Sequence, residues 1–172
     1  MASDTQYSIF KPATLISYVV KKLREENREQ IGKTVIQKII YLLTRENIGK
    51  FNYSLYLYGP YSSEVASELN FAEDTGMLKI DWIDEKGYFI TPTDELNNYL
   101  DLLTKEEKQA IEKIVEKYGN LNVAELSIVA TAFYVHDYFK VSGDKLIDTV
   151  KGLKNNYPGE LIEKAIKKAG LG

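Results

Sequence analysis

Apolar residues recur at helical spacing in the first part of the chain. The first set consists of Ile16, Val19, Val20 and Leu23. Because this spacing places side chains on one face of a helix, we predict a helix over 12–27. Pro12 then lies in the first turn, where its missing N–H leaves no helical hydrogen bond unmade. A second apolar set over 36–43 predicts a second helix, which Thr34 caps and which ends near Gly49.

The pattern changes from helical spacing to alternation at two places. Residues 51–58 (FNYSLYLY) alternate and predict a short strand, which Gly59 and Pro60 end. Residues 77–91 alternate on both sides of a turn that contains Gly87. A glycine at this position supplies the positive φ that a tight turn needs, so this segment predicts a β-hairpin.

A third helix is predicted between the two strand segments, with a cap at Ser62 or Ser63 and an end at Gly76. The resulting order, helix–helix–strand–helix–hairpin, is that of a winged helix-turn-helix in which the short strand pairs with the hairpin. Only helices follow. The predicted fold class is therefore mainly α (α+β), with a winged-helix-like domain over 1–100. The helical bundle over 101–172 packs on it across a soft boundary.

The C-terminal part also carries clear helix-start signals. Thr104 followed three residues later by Glu107 predicts a capping box for the helix that runs to Gly119. A further helix is predicted over about 123–138, and two shorter ones follow it.

Composition narrows the chemistry of the chain. Its 172 residues include no cysteine, which excludes disulfides and thiolate chemistry and favours a cytoplasmic location. His136 is the only histidine, and neither a set of metal ligands nor a nucleophile with an oriented base surrounds it in the sequence. We therefore expect no enzymatic activity, no cofactor and no metal. The apolar runs are too short to span a membrane.

Charge is distributed unevenly along the chain. Residues 1–50 carry nine Lys/Arg and five Asp/Glu, whereas residues 51–100 carry two Lys and nine Asp/Glu. The predicted third helix is acidic, although the corresponding helix of a DNA-binding winged helix enters the major groove. DNA binding is therefore the alternative hypothesis, and it would use basic residues projecting from the first two helices. These candidates are Lys21, Lys22, Lys33, Lys38 and Arg45.

Tyrosines surround the turn at residues 59–60. If Tyr53, Leu55 and Leu57 face inward, alternation places Tyr56 and Tyr58 on the exposed face. Tyrosine is favoured at protein interfaces because it contributes a large rigid area with a polar end. The candidate partner-binding residues are Tyr56, Tyr58, Gly59, Pro60, Tyr61, Ser62, Glu64 and Glu68.

Several segments resemble a known family. The segments 37–43 (QKIIYLL), 58–63 (YGPYSS) and 125–134 (ELSIVATAFY) resemble those of the YwgA-like proteins of bacteria and archaea. More distantly, they are similar to the Panacea domain of antitoxin SocA-like proteins. The segment 150–154 (VKGLK) is similar to the start of the family's closing helices, and the resemblance covers about 15–170. It implies a winged-helix-like fold, no established catalytic chemistry, and toxin neutralisation or an adaptor role through protein contacts.

The leading hypothesis from the sequence is a non-enzymatic interaction or adaptor protein of the winged-helix type. It binds a protein partner or a second copy of itself through the turn at 56–63 and the acidic third helix. The alternative is a DNA-binding transcriptional regulator that docks through its first two helices. No small-molecule substrate is indicated by the sequence.

Overall fold

The chain is mainly helical and contains two small antiparallel hairpins. The computed structural model describes the backbone of residues 4–171 and the side chains of residues 9–171. In chain order the described elements are α1 (Asp4–Glu25), α2 (Lys33–Arg45), β1 (Ser54–Tyr56), β2 (Gly59–Tyr61), α3 (Ser63–Asp74), β3 (Leu78–Ile83), β4 (Gly87–Pro92), α4 (Lys105–Tyr118), α5 (Val123–Phe139), α6 (Gly143–Leu153) and α7 (Gly159–Lys168). Short 3-10 helices at Asp94–Asn98 and Leu100–Leu102 precede α4. The predicted mainly α (α+β) class is confirmed.

Two compact units make up the chain. Unit 1 comprises Met1–Asn52 and Ser62–Asn120, and unit 2 comprises Tyr53–Tyr61 and Leu121–Gly172. This partition differs from the predicted division at residue 100 in two respects. Helix α4 belongs to unit 1, and the β1–β2 hairpin belongs with the C-terminal helices.

Helix α1 is the central helix of unit 1. It contacts α2, α3, α4 and β4, and the predicted apolar face from Ile16 to Leu23 is buried, as expected. The predicted start at Pro12 is wrong, because α1 begins at Asp4 and contains Pro12 in its interior. A proline there removes one helical hydrogen bond. Packing on several sides explains why the helix continues through it.

The predicted caps have mixed outcomes. Ser62 caps α3, because its side chain accepts a hydrogen bond from the backbone N–H of Val65. The capping box of α4 is also present, with Thr104 and Glu107 bonded reciprocally. The predicted Thr34 cap is wrong: α2 begins at Lys33, and Gly32, two residues before Thr34, occupies the cap position without a side-chain hydrogen bond.

The predicted pairing of the first strand with the later hairpin is wrong. β1 pairs with β2, and β3 pairs with β4, in two separate sheets. Gly59 and Pro60 do not end a strand but form part of β2, since Leu55 is paired with Pro60 and Tyr56 with Gly59. Only two residues then separate the strands, and such a short loop closes at low entropic cost.

The connection between α1 and α2 runs beside the second hairpin instead. The backbone N–H of Ile90 in β4 donates to the carbonyl of Ile31 at 2.9 Å. The side chain of Gln30 donates to the carbonyls of Lys86 and Tyr88. The β3–β4 hairpin itself is confirmed, including the predicted positive φ at Gly87, which is 93°.

Helix α5 has the central position in unit 2. Its residues are buried in a continuous run from Leu126 to Phe133, and β2, α6 and α7 all contact it. The helix starts with a capping box formed by Asn122 and Glu125. Glu125 is also 2.8 Å from the ammonium of Lys168, near the end of α7.

Candidate functional site

The loop of the β1–β2 hairpin presents apolar and aromatic side chains to solvent. Tyr56, Leu57 and Tyr58, which we call the hairpin tip, are 60%, 73% and 56% exposed. The rings of Tyr56 and Tyr61 are stacked at a centroid distance of 5.1 Å. Consecutive large apolar side chains in solvent are unusual, because exposed apolar residues normally occur singly.

The backbone of the hairpin tip is held by two buried side chains of unit 2. Ser127 in α5 donates from Oγ to the carbonyl of Tyr58 at 2.5 Å. Lys154, at the C-terminal end of α6, donates from Nζ to the carbonyl of Leu57 at 2.7 Å. Ser127 is fully buried and Lys154 is only 2% exposed. The tip is therefore fixed through its backbone, while its side chains remain exposed to solvent.

Lys154 is an energetically costly residue for this role. Burial lowers the pKa of its ammonium from 10.5 to about 8, because a charge removed from water is disfavoured unless it is compensated. The Leu57 carbonyl provides compensation by accepting a charge-assisted hydrogen bond.

Local chemistry at residues 59–62 explains the shape of the hairpin. Gly59 has a φ of 105°, a conformation that glycine adopts without the clash a Cβ would cause. Gly59 and Pro60 are buried. Ser62 is 1% exposed, and its backbone exchanges hydrogen bonds of 2.9 and 2.8 Å with the side-chain amide of Gln37. Gly59, Pro60 and Ser62 are therefore buried and are not available for direct contact with a partner.

The sequence-predicted partner-binding residues are divided between the two units. Tyr56, Tyr58, Gly59, Pro60 and Tyr61 belong to unit 2, whereas Ser62, Glu64 and Glu68 belong to unit 1. Of these, Tyr56 and Tyr58 are the exposed aromatic residues. Glu64 accepts a hydrogen bond from the backbone N–H of Asn52 at 2.9 Å.

Sequence reasoning missed three residues of the hairpin site. Leu57 was expected to face inward, but it is the most exposed residue of the tip. Alternation fails here because Leu57 lies in the two-residue loop and outside the strand ladder. Ser127 and Lys154 gave no sequence signal, because a serine in an apolar helix and a lysine after a helix are both ordinary.

The basic residues of the DNA hypothesis are mostly engaged within unit 1. Lys38 is 2% exposed, so the expectation that it projects from α2 is wrong. Lys33 lies 4.0 Å above the ring of Tyr88. Lys21 and Lys22 are paired with Glu25, at 3.3 and 2.9 Å.

The fifth residue of that set is Arg45, which is exposed near the C-terminal end of α2. Lys38 is buried because nine consecutive residues of α2, Val35 to Leu43, are shielded from solvent. A helix packed on all sides buries its polar positions together with its apolar ones.

Titratable side chains are not gathered for metal binding in the described part of the chain. Among residues 9–171, no group of three or more histidine and acidic side chains is placed to hold a metal ion. The ring of His136 lies 3.2 Å from the carboxylate of the adjacent Asp137. No helix within the described residues combines the length and apolar character required to cross a membrane.

Comparison with known proteins adds no assignment. The chain matches no model of a protein family and no curated protein.

Proposed function

We propose that the chain is a non-enzymatic interaction protein whose hairpin tip inserts into an apolar pocket of a protein partner. The observation that carries this proposal is the combination of exposed side chains and a fixed backbone at Tyr56, Leu57 and Tyr58. A loop held in one conformation before binding loses little entropy on association. Less of the free energy gained by burying its apolar surface is therefore offset than in a flexible loop.

The electrostatics of the hairpin favour a protein over a nucleic acid. No residue from 51 to 63 carries a charge, and the ammonium of Lys154 is directed to the Leu57 carbonyl. Phosphate contacts provide most of the affinity of proteins for nucleic acids. Tyrosine instead matches the aromatic anchors that are enriched at the centres of protein interfaces.

A winged-helix regulator of DNA remains the alternative function. It is favoured by the order α1–α2–α3–β3–β4 and by the bond between Ile31 and Ile90 beside the second hairpin. Two observations weigh against it. Helix α3 carries four carboxylates and no basic residue, and Lys38 is buried.

Site-specific photo-crosslinking tests the proposal. A benzophenone amino acid replaces Leu57 in one variant and Trp82 in a control variant, because Trp82 is similarly exposed, at 61%, in the second hairpin. We expect one dominant protein adduct from position 57 in the native cell and none of the same mass from position 82. Adding Tyr56→Ser and Tyr58→Ser to the position-57 variant should abolish the adduct.

Three results would overturn the proposal. The first is an adduct of equal mass and yield from both positions. The second is an adduct that consists of two copies of this chain, which would assign the hairpin tip to self-association. The third is strong retention on duplex DNA that falls steeply with salt and is lost when Lys21, Lys33 and Arg45 are replaced by alanine.

A toxin is the partner class implied by the resemblance to Panacea domains. If the adduct contains a toxic protein, co-expression of this chain should restore growth to cells that produce it. The variant Leu57→Asp should not restore growth, because a carboxylate at the centre of an apolar contact would be desolvated without a partner. Restored growth with Leu57→Asp would show that toxin neutralisation does not require the hairpin tip.

A further inference from the structure

Unit 1 contains a cavity that the proposed function does not use. Its volume is about 690 Å³, which lies within the range of sites for small organic molecules. Helices α1 and α3, the segment after α2 and the start of α4 contribute its wall. The apolar part consists of Pro12, Leu15 and Phe51.

The wall at Phe51 depends on a tight backbone approach. Gly49 has a φ of 79°, and a Cβ at this position would lie 3.0 Å from the ring of Phe51. Asn47, two residues earlier, also has a positive φ, of 65°. Asn47 and Gly49 therefore both have a left-handed backbone conformation within three consecutive residues. This reverses the chain direction and brings the Phe51 ring to the cavity.

Most charged groups of the cavity already have partners within unit 1. The ammonium of Lys11 lies 2.9 Å from the carboxylate of Glu107, and Glu107 also accepts a hydrogen bond from the backbone of Thr104. Burial alone would raise the pKa of Glu107, but these contacts outweigh it and lower the pKa below its ordinary value. Glu64 accepts a hydrogen bond from the backbone of Asn52.

Glu68 differs from Glu64 and Glu107, the other carboxylates of the cavity wall. Its Oε2 is shielded from solvent and accepts no hydrogen bond from any residue whose side chain the structure describes. Burial raises the pKa of Glu68. A buried acceptor without a donor is costly, and each such group in a folded protein calls for an explanation.

We propose that this cavity binds a small organic amine, with the apolar body against Pro12, Leu15 and Phe51 and the ammonium bonded to Glu68. The ammonium supplies both the hydrogen-bond donor and the positive charge that Glu68 lacks. A neutral ligand of the same shape would supply neither the charge nor a charge-assisted bond. A carboxylic acid would place a second negative charge beside Glu68.

Three matched probes test the ligand class by isothermal titration calorimetry. Tyramine carries the amine, 4-ethylphenol is a neutral analogue, and 3-(4-hydroxyphenyl)propionic acid carries a carboxylate. We expect tyramine to bind at least about tenfold more tightly than either analogue, a difference of about 1.4 kcal/mol, since its ammonium can make a charge-assisted hydrogen bond to Glu68.

Glu68→Gln should weaken tyramine binding about tenfold and leave 4-ethylphenol unchanged, because it removes the charge and keeps the shape. Glu73→Gln is the matched control, because Glu73 lies on the same helix, is exposed and does not line the cavity. It should change neither affinity. Ser67→Trp fills the cavity from an exposed position on its wall and should abolish binding of all probes, while circular dichroism confirms that the helices are retained.

The proposal is overturned if tyramine binds no more tightly than 4-ethylphenol. It is equally overturned if Glu68→Gln leaves the affinity for tyramine unchanged, or if Ser67→Trp binds tyramine like the wild type. These outcomes are independent of the hairpin tip, because every residue involved belongs to unit 1.

Discussion

The two hairpins of the chain expose aromatic residues in different ways. The β1–β2 hairpin has three residues in each strand, and its tip is held by Ser127 and Lys154 from the helices of unit 2. The β3–β4 hairpin has six residues in each strand. Its turn is charged at Asp84, Glu85 and Lys86. The shorter hairpin is therefore held by buried donors, whereas the longer one combines a longer ladder of its own with hydrogen bonds to Gln30 and Ile31.

This difference indicates which exposed aromatic residues are prepared for binding. Trp82 is as exposed as Tyr56, and each of the two rings packs against a tyrosine of its own hairpin, but the indole N–H of Trp82 also donates to Asp84. Charged side chains at a hairpin turn also oppose association. The uncharged tip at Tyr56, Leu57 and Tyr58 lacks that protection, and two buried polar side chains stabilise it. We infer that exposure at the first hairpin is functional.

The largest expected effect comes from the glycine of the first hairpin. Gly59→Ala should lower the free energy of unfolding by about 2–4 kcal/mol, since a φ of 105° is strained for alanine and the added methyl group enters a buried position. Gly87→Ala is the matched change in the second hairpin, where φ is 93° and the nearest atom to the new Cβ is 3.7 Å away. It should cost about 1–2 kcal/mol.

Urea unfolding followed by circular dichroism measures both variants. Hydrogen exchange by mass spectrometry then locates the loss of protection, which we expect in β1–β2 and α5 for Gly59→Ala. Equal destabilisation by the two variants would remove the proposed contrast between a short hairpin held by buried donors and a longer one with a longer ladder.

The second effect is a dependence on pH through Lys154. Its pKa is about 8 in the folded chain, against 10.5 for the exposed group. The unfolded chain therefore binds more protons between pH 8 and 10.5, and the free energy of unfolding rises with pH across this window. Below pH 8 both states are protonated, and the cost of burying the charge is present in full.

Comparison with Lys154→Met isolates the contribution of Lys154 to this pH dependence, because the other ionisable groups titrate in both proteins. The stability of the wild type relative to the variant should increase by about 2–3 kcal/mol between pH 7.5 and 10.5. A difference that stays constant over this range would mean that Lys154 is not held as a buried ammonium.

The elements were largely predictable from the sequence, but the anchors of the hairpin tip were not. Helical spacing identified the buried face of α1, and the Thr104 capping box followed from local chemistry. Such features depend on residues within one or two turns of each other. The bond from Lys154 to Leu57 joins residues 97 positions apart, and no local pattern records that contact.

The errors at the first hairpin have the same physical origin. Gly59 and Pro60 are typical strand-ending residues, yet both lie in β2. Proline is tolerated there because an edge strand does not need its N–H. Alternation then assigned Leu57 to the interior, since it assumed a continuous strand where the chain turns. A prediction from local propensity could not detect that helices of the C-terminal part complete this hairpin.

The third prediction compares the buried hydrogen bond from Ser127 to the first hairpin with the exposed hydrogen bonds from Gln30 to the second hairpin. Ser127→Ala should lower the free energy of unfolding by about 1–2 kcal/mol, because the Tyr58 carbonyl loses a buried donor. Gln30→Ala removes two hydrogen bonds to the second hairpin, but these bonds are exposed to water. Its cost should stay below about 0.5 kcal/mol. Thermal or urea denaturation of the two variants gives the comparison, and a larger loss for Gln30→Ala would reverse it.

The smallest effect on stability should occur at the most exposed residue. Leu57→Ser removes a side chain that is 73% exposed, so the free energy of unfolding should change by less than about 0.5 kcal/mol. The same variant should lose the protein adduct at the hairpin when the crosslinker is placed at Tyr58. Trp82→Ser, its control in the second hairpin, should retain that adduct. If Leu57→Ser is destabilising, the side chain supports the fold, and its exposure is no longer an argument for binding. If Leu57→Ser strongly weakens partner binding and leaves stability unchanged, the Leu57 side chain serves binding and not folding. This is the result expected if the helices of unit 2 hold the hairpin in place for a partner.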